Sequence, residues 1–340
     1  MGQVRRRQFL TAAAALLAAP RIARAQAPKK LPVLGILSPG RRAPPEVRAK
    51  SPFVIRLRDL GWIDGKTISI EPAYAEDNLD RLPELAATLV AKKVDVIWAF
   101  GTLGAVAAAR ATTTIPIVFA GVGFSVELGL VDSLARPGRN VTGVAWFADE
   151  SIYVKRYQLL RELAPDARRI ALLIVSTNNP TVAGGMLDFK TLLRDKVDAA
   201  LRDLRFESRR YELFTAADLE PAFAAISKWA PDVLSVPDAA LTDLARKQIV
   251  DFARRQRLLT VTGSREWVQA GGLFSYGLVI LPTLLRSVDM VDRILRGAKP
   301  ADLPVELPSH YELMVNLGTA KALGLKVPQS ILLRADKVIE

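Results

Sequence analysis

The sequence predicts an α/β protein built as two doubly wound parallel-sheet lobes joined by several crossovers. Three observations carry that prediction. First, residues 94–124 (VDVIWAFGTLGAVAAARATTTIPIVFAGVGF) contain two apolar runs separated by an alanine-rich, helix-favouring stretch. Continuous apolar strands joined by a helix form a βαβ unit covered on both faces. Second, strand and helix signals alternate twice in succession, over about 31–145 and 150–265. Third, the remaining tail holds one long helix after a glycine-flanked strand, too little for a third core, so it must pack back on a lobe.

The first run opens with the strand Leu31–Leu37, ended by the turn residues Ser38-Pro39-Gly40. Residues 52–60 read as a helix stopped by Gly61, and 67–74 as a second strand with Ile68 and Ile70 alternating. Leu82, Leu85, Leu89 and Val90 mark one face of a helix over 80–92. The βαβ unit follows, with strands at 94–100 and 115–120 and a helix at 103–111. A helical turn is expected at 128–134 and a strand at 141–147.

The second run reads as helix 151–163, strand 169–176, a long polar helix 186–204, a weak strand 208–214 and helix 219–229. Strand 232–236, helix 241–256 and strand 258–262 complete it. In the tail, 271–277 is a strand and 284–295 a helix. Segments 303–307 and 311–317 are extended, and 319–323 is a short helix ended at Gly324. The expected partition places 31–145 plus about 278–298 in the N-terminal lobe, and 146–277 plus about 299–340 in the C-terminal lobe.

Half of the 340 residues are hydrophobic, which suits a globular chain and opposes disorder. The net charge of +12 invites a nucleic-acid reading, but five of those excess charges are Arg5, Arg6, Arg7, Arg21 and Arg24, with no acid among the first 25 residues. The other basic residues are scattered among acids without interleaved aromatics, so no nucleic-acid partner is expected. Cysteine is absent and His310 is the single histidine, so thiolate chemistry, disulfides and a histidine-rich metal site are excluded. No G-x-S-x-G, H-E-x-x-H or P-loop pattern occurs, and Gly101 with Gly104 make G-x-x-G rather than a dinucleotide fingerprint. Neither an enzyme nor a bound cofactor or metal is expected.

Residues 1–25 read as a cleaved export signal. A basic start precedes a short apolar core (TAAAALLAA), and Ala23-Arg24-Ala25 supplies small residues at a cleavage site. Arg6-Arg7 before Phe9-Leu10 resembles the twin-arginine type. The expected location is therefore the periplasm, with the mature chain soluble.

In parallel α/β sheets, ligands meet the loops at the carboxyl ends of the strands. The candidate ligand-binding residues in the first lobe are Ser38 and Pro39, Tyr74 and Glu76, Gly101 and Thr102, and Gly121, Phe124 and Ser125. Gly101-Thr102 opens a helix whose free amides favour a carboxylate. Glu76 offers an acceptor to an ammonium, and Phe124 a ring for stacking. In the second lobe the candidates are Ser176, Thr177, Asn178, Asp238, Glu266 and Tyr276, with Asp238 suited to an amine and Tyr276 placed in the presumed crossover.

Taken in order, several segments carry a family likeness. They include LPVLGILSPG, LRDLGWIDGKTISIE, AEDNLDRLPELAATLV, TTTIPIVFAGVG, LGLVDSLARPGRNVTGV, LLRELAPDARRIALLI, REWVQAGGLFSYG, ILRGAKPADLPVELP and LMVNLGTAKALGLKVPQSILLRADKVIE. The chain resembles the ABC transporter substrate-binding proteins of the tryptophan- and tyrosine-binding type. That resemblance implies the type I periplasmic binding protein clamshell and hinge closure around a small amino-acid-like or carboxylated ligand. It also implies delivery to the permease of an ABC importer, with membrane contact only through that permease. The alternatives are a ligand-sensing partner of a membrane receptor and an exported α/β enzyme. The chain departs from the family pattern at Ala73, Leu103 and Phe124-Ser125, expected at strand ends facing the cleft.

Overall fold

In the computed structural model, residues 30–147, 151–176, 193–308 and 310–340 are described. The expected export signal at 1–25, the start of the helix expected over 186–204, Thr177 and Asn178 lie outside them.

The first sheet has five parallel strands in the order β2-β1-β3-β4-β5. They are β1 (Val33–Ser38), β2 (Ser69–Tyr74), β3 (Val96–Phe100), β4 (Ile117–Gly123) and β5 (Val141–Phe147). The continuous apolar runs are explained by helices on both faces. Along β3, Val96 and Trp98 enter one core, with helices Pro52–Asp59 and Ile280–Leu295, while Ile97 and Ala99 enter the other, with Leu82–Ala91 and Gly101–Ala111. β4 divides in the same way, with Val118 and Ala120 against Ile117 and Phe119. This is the period of two expected of a strand buried on both sides.

The second sheet has seven strands in the order β12-β11-β10-β9-β8-β6-β7. They are β6 (Arg169–Val175), β7 (Glu207–Leu213), β8 (Val233–Ser235), β9 (Leu259–Thr262), β10 (Phe274–Leu278), β11 (Tyr311–Asn316) and β12 (Lys337–Ile339). Only the β10–β11 pair is antiparallel. Both sheets are thus parallel-dominated and doubly wound.

Three crossings join the sheets. The first follows β5. The second is Val279, between β10 and helix Ile280–Leu295, which packs on β3, β4 and β5. The third follows residues 303–306, which stay on the first sheet: Thr142 Oγ1 donates to Leu303 O at 2.7 Å, and Val144 bridges Glu306.

Several element boundaries differ from the sequence expectation for local physical reasons. Helix Ile280–Leu295 begins before Pro282 rather than after it. A first-turn amide has no intrahelical partner, so proline there costs no bond. The expected helix 241–256 is two, Ala240–Leu244 and Arg246–Arg255. Thr242 Oγ1 donates to Pro237 O and Ala239 O, the local side-chain bonding that competes with a continuous helix. Residues 128–134 form turns rather than a helical turn. Short helices at Pro45–Arg48, Arg265–Gln269 and Gln329–Leu332, and strand β12, had no clear sequence signal.

Candidate functional site

Each sheet reverses strand order once, between β1 and β3 in the first and between β6 and β8 in the second. Loops leaving the carboxyl ends of strands flanking such a reversal diverge and open a crevice. Ser38, Pro39, Gly101, Thr102, Ser176 and Asp238 lie at these ends, whereas Tyr74 and Glu76 belong to the end of β2, Phe124 and Ser125 follow β4, Glu266 follows β9 and Tyr276 lies within β10 rather than in a crossover. Ser38 and Tyr74 are register partners on β1 and β2. Ser38 Oγ accepts from Gly40 N at 3.3 Å. Burial pushes the Tyr74 phenol up, and Arg48 and Arg42 oppose the shift. Pro39 O accepts from Asp77 N at 3.0 Å, folding the β1 and β2 loops together. Glu76 is exposed, and its Oε1 accepts from Arg42 N at 3.1 Å, so the carboxylate ties the same loops. Gly101 starts the helix Gly101–Ala111 with φ +72°; no side chain caps its first amides, and Thr102 is half-buried beside it.

The β4 end departs from a simple strand-then-loop reading. The strand continues through Gly121 to Gly123, with register shifts against β5 at Ala120/Val122 and Val122/Gly123. Gly121 has φ +84°, and a Cβ there would overlap the Trp146 indole, 2.5 Å from Cε2. Phe124 follows with φ +56°, a strained region for an aromatic residue. The bulged strand aims its ring away from solvent: Phe124 is 3% exposed and meets Phe147 edge-on at 5.3 Å. These rings join Ile152, Tyr153, Trp146, Tyr276 and Tyr311 in one cluster drawn from both sheets. Ser125 is buried beside Phe124, and its Oγ has no hydrogen-bond partner.

In the second lobe, Ser176 Oγ donates to Glu212 Oε2 at 3.1 Å, at the edge near β7. Asp238 leaves β8 half-buried; its Oδ1 is shielded from solvent and unpartnered. Burial pushes its carboxyl up, Arg156 opposes, and Asp243 adds to the rise. Glu266 is exposed and lines a small cavity with Gly263, Gly277 and the Arg265–Glu312 ion pair, 2.9 Å apart. Tyr276 stacks on Tyr311 at 6.1 Å.

The structure therefore unites Phe124 with Tyr276, and Asp238 with the β9–β10 end. It turns Glu76 and Ser176 toward neighbours in their own lobes. Ala73 faces the apolar core rather than the cleft, at 5% exposure, because alternation on β2 points it inward. Sequence reasoning missed Arg156, Gly263, Tyr153, Trp146 and Phe147. Arg156 was the legible one: it lies in the apolar stripe Ile152, Leu159, Leu160 and Leu163, where a charge has no reason to be without a task. It is 6% exposed; Nε donates to Tyr276 O at 3.0 Å and the guanidinium lies over Tyr153 at 5.1 Å. Burial pushes the Tyr153 phenol up to about 12.

A groove of about 420 Å³ beside helix Gly101–Ala111, lined by Arg110, Arg139 and Asn140, contains none of these residues. Among the described residues, no helix is long and apolar enough to cross a membrane, and no cluster of His, Cys, Asp and Glu is suited to a metal.

Comparisons with known proteins agree with this architecture. A tyrosine-binding protein of Clostridioides difficile (strain R20291) is 26% identical over 279 residues, 82% of this chain and 77% of that one. The crystal structure of an ABC domain in complex with L-Trp from Streptococcus pneumoniae superposes with a TM-score of 0.76 at 21% identity, covering 91% of this chain and all of that one. A ligand-free, open substrate binding protein with adhesive properties from Clostridium difficile gives 0.60 at 24% identity, covering 91% and 99%. The two-lobe fold is thus that of type I periplasmic binding proteins. The family model described as ABC transporter substrate binding protein matches residues 47–339. With its two reversed sheets, its crossings and that match over nearly the whole chain, the protein belongs to the ABC transporter substrate-binding protein family.

Proposed function

We propose that the protein captures a small amino-acid-like ligand bearing a carboxylate and an aromatic side chain between its lobes, and delivers it to the permease of an ABC importer in the periplasm. The observation that carries this reading is the aromatic cluster of Phe124, Phe147, Tyr153 and Tyr276. It is drawn from both sheets and sits beside the unpartnered polar atoms of Asp238 and Ser125. Such a mixture suits a ligand with an apolar ring and a polar end: aromatics supply area and a few polar groups fix orientation. The tyrosine-binding relative and the L-Trp-bound structure support an aromatic amino acid.

The candidate contacts are Ser38, Pro39, Tyr74, Gly101, Thr102, Gly121, Phe124 and Ser125 from the first lobe, and Ser176, Asp238, Glu266 and Tyr276 from the second. Glu76 serves loop geometry better than ligand contact. Hinge closure across the three crossings, with the ligand touching both lobes, would favour the closed state. Export by the twin-arginine-like leader would bring the protein to that compartment.

A thermal-shift screen of amino acids, organic acids and nucleosides tests this. A ligand at a hundred times its Kd adds about 2.7 kcal/mol of stability. L-tryptophan or L-tyrosine should raise Tm by several degrees. A screen in which no small solute moves Tm refutes the reading.

A further inference from the structure

The second lobe holds two opposite charges whose placement exceeds what folding requires. Arg156, on helix Ser151–Leu163, is 94% buried, and among the described residues its side chain makes one hydrogen bond, from Nε to Tyr276 O. Among the described residues no carboxylate forms an ion pair with it. Asp238, beyond β8, keeps Oδ1 shielded and unpartnered. The two head groups converge at Gly263, which follows β9. A Cβ on Gly263 would overlap Asp238 Oδ2 and lie 2.5 Å from Arg156 Nη2. A buried Arg–Asp pair serving structure alone would be joined by a bidentate bond, since desolvated charges left apart are costly. Here the groups face one point, where the missing side chain of Gly263 lets both head groups come in, and the aromatic cluster adjoins them.

We propose that Arg156 and Asp238 read the two ends of an α-amino acid: the guanidinium takes the α-carboxylate and the aspartate takes the α-ammonium, the two head groups being brought together over Gly263. This rests on the aromatic amino-acid reading above and sharpens it. The carboxylate is held by Arg156 in the second lobe rather than by the helix start at Gly101-Thr102. The ligand must carry both charges. An amine or an acid with the same ring satisfies one partner and leaves the other buried and unpaired, which is how a polar site rejects an analogue. Tyr153, lying under the Arg156 guanidinium, and Tyr276, bonded to it through its carbonyl, fix the arginine's plane.

The test is calorimetric titration with L-tryptophan, tryptamine and indole-3-propionate, preceded by a screen of the L-amino acids. The proteins are wild type, Arg156→Gln, Arg156→Lys and Asp238→Asn. Truncating one partner of a buried charge pair typically weakens binding by a factor of at least ~30. Wild type should therefore prefer L-tryptophan over either analogue by at least about that factor. Arg156→Gln should erase the preference over tryptamine and Asp238→Asn the preference over indole-3-propionate. Arg156→Lys should keep part of its preference, because charge remains while the planar fork is lost. Asp238→Asn lies on a different element and decides the matter should Arg156→Gln fail to fold. If an amino acid binds but Arg156→Gln retains its preference over the decarboxylated amine, the assignment falls alone. If no L-amino acid binds wild type, the assignment and the proposed function fall together.

Discussion

Gly263→Ala isolates the charge site from the rest of the fold. Gly263 has an ordinary backbone φ, so alanine meets no conformational penalty there. The atoms nearest the new methyl would belong to side-chain ends, the Asp238 carboxylate and Arg156 Nη2, the latter at 2.5 Å. A carbon–nitrogen contact relaxes at about 3.5 Å, so the guanidinium must retreat by about 1 Å and the carboxylate by more. Hydrogen bonds to charged groups contribute about 1.5–3 kcal/mol each. Losing good geometry at both partners should cost about 3 kcal/mol of binding, a weakening of about a hundredfold. Stability without ligand should change by less than binding does, because the methyl displaces two side-chain termini and no backbone. Calorimetric titration with L-tryptophan and L-tyrosine, paired with a melting curve, reads both quantities. Affinity within threefold of wild type at an unchanged Tm would refute the placement of the ligand's charged end beside Gly263.

Gly277→Ala should behave oppositely. Its methyl would overlap the Gly263 carbonyl oxygen and lie 2.7 Å from the carbonyl carbon, and the backbone of β9 cannot swing aside; we expect about 2–3 kcal/mol of destabilisation in denaturant unfolding, and a variant as stable as wild type would contradict the close β9–β10 approach. Asp238→Asn should raise the ligand-free Tm at pH 7. Burial raises the Asp238 pKa in the folded protein, so its stabilising contribution is full below the unfolded value near 4 and is lost as pH rises through the folded pKa; melting curves that differ equally at pH 3 and pH 7 would sink this. Tyr311→Phe removes the hydroxyl bond to Trp146 O, 3.2 Å long and spanning the two sheets, and should favour opening by about 1 kcal/mol. Small-angle scattering of the ligand-free protein should report a larger radius of gyration, and an identical curve would deny that bond a role in the hinge.

Much of the architecture was legible because burial on both faces writes long apolar runs, as in Val96–Phe100 and Ile117–Ala120. The element order then dictated two parallel-dominated sheets. The candidate site was legible only as a set of strand ends. Ser38, Gly101 and Asp238 stand at strand ends, but which way each side chain turns depends on neighbours distant in sequence. Glu76 looked available until its loop folded onto Arg42, and Phe124 looked like a loop residue because a bulge in β4 cannot be read from its glycines alone. Gly263 carried no motif: its importance comes from Asp238 and Arg156, 25 and 107 positions away. Arg156 alone had a signal in the sequence, a charge within the apolar stripe of helix Ser151–Leu163, and it was not among the candidates.

On the proposed reading, cleft and hinge draw on one set of side chains. Arg156 holds the carbonyl of Tyr276 on β10; Tyr276 stacks on Tyr311 of β11; Tyr311 bonds the carbonyl of Trp146 on β5. These three strands border the three crossings. A ligand shifts an open–closed equilibrium only through contacts that differ between the two states. On the proposed reading, the charged contacts to Arg156 and Asp238 lie within one lobe and are present in both states, so they contribute affinity and little closure. The contacts that form on closure are those of the ring with Phe124 and Phe147 across the cleft. Charge selection and domain closure are therefore assigned to different parts of the ligand. An amino acid with a small side chain would satisfy the charges without drawing the lobes together, and a ring alone would lack the anchor that keeps it in place.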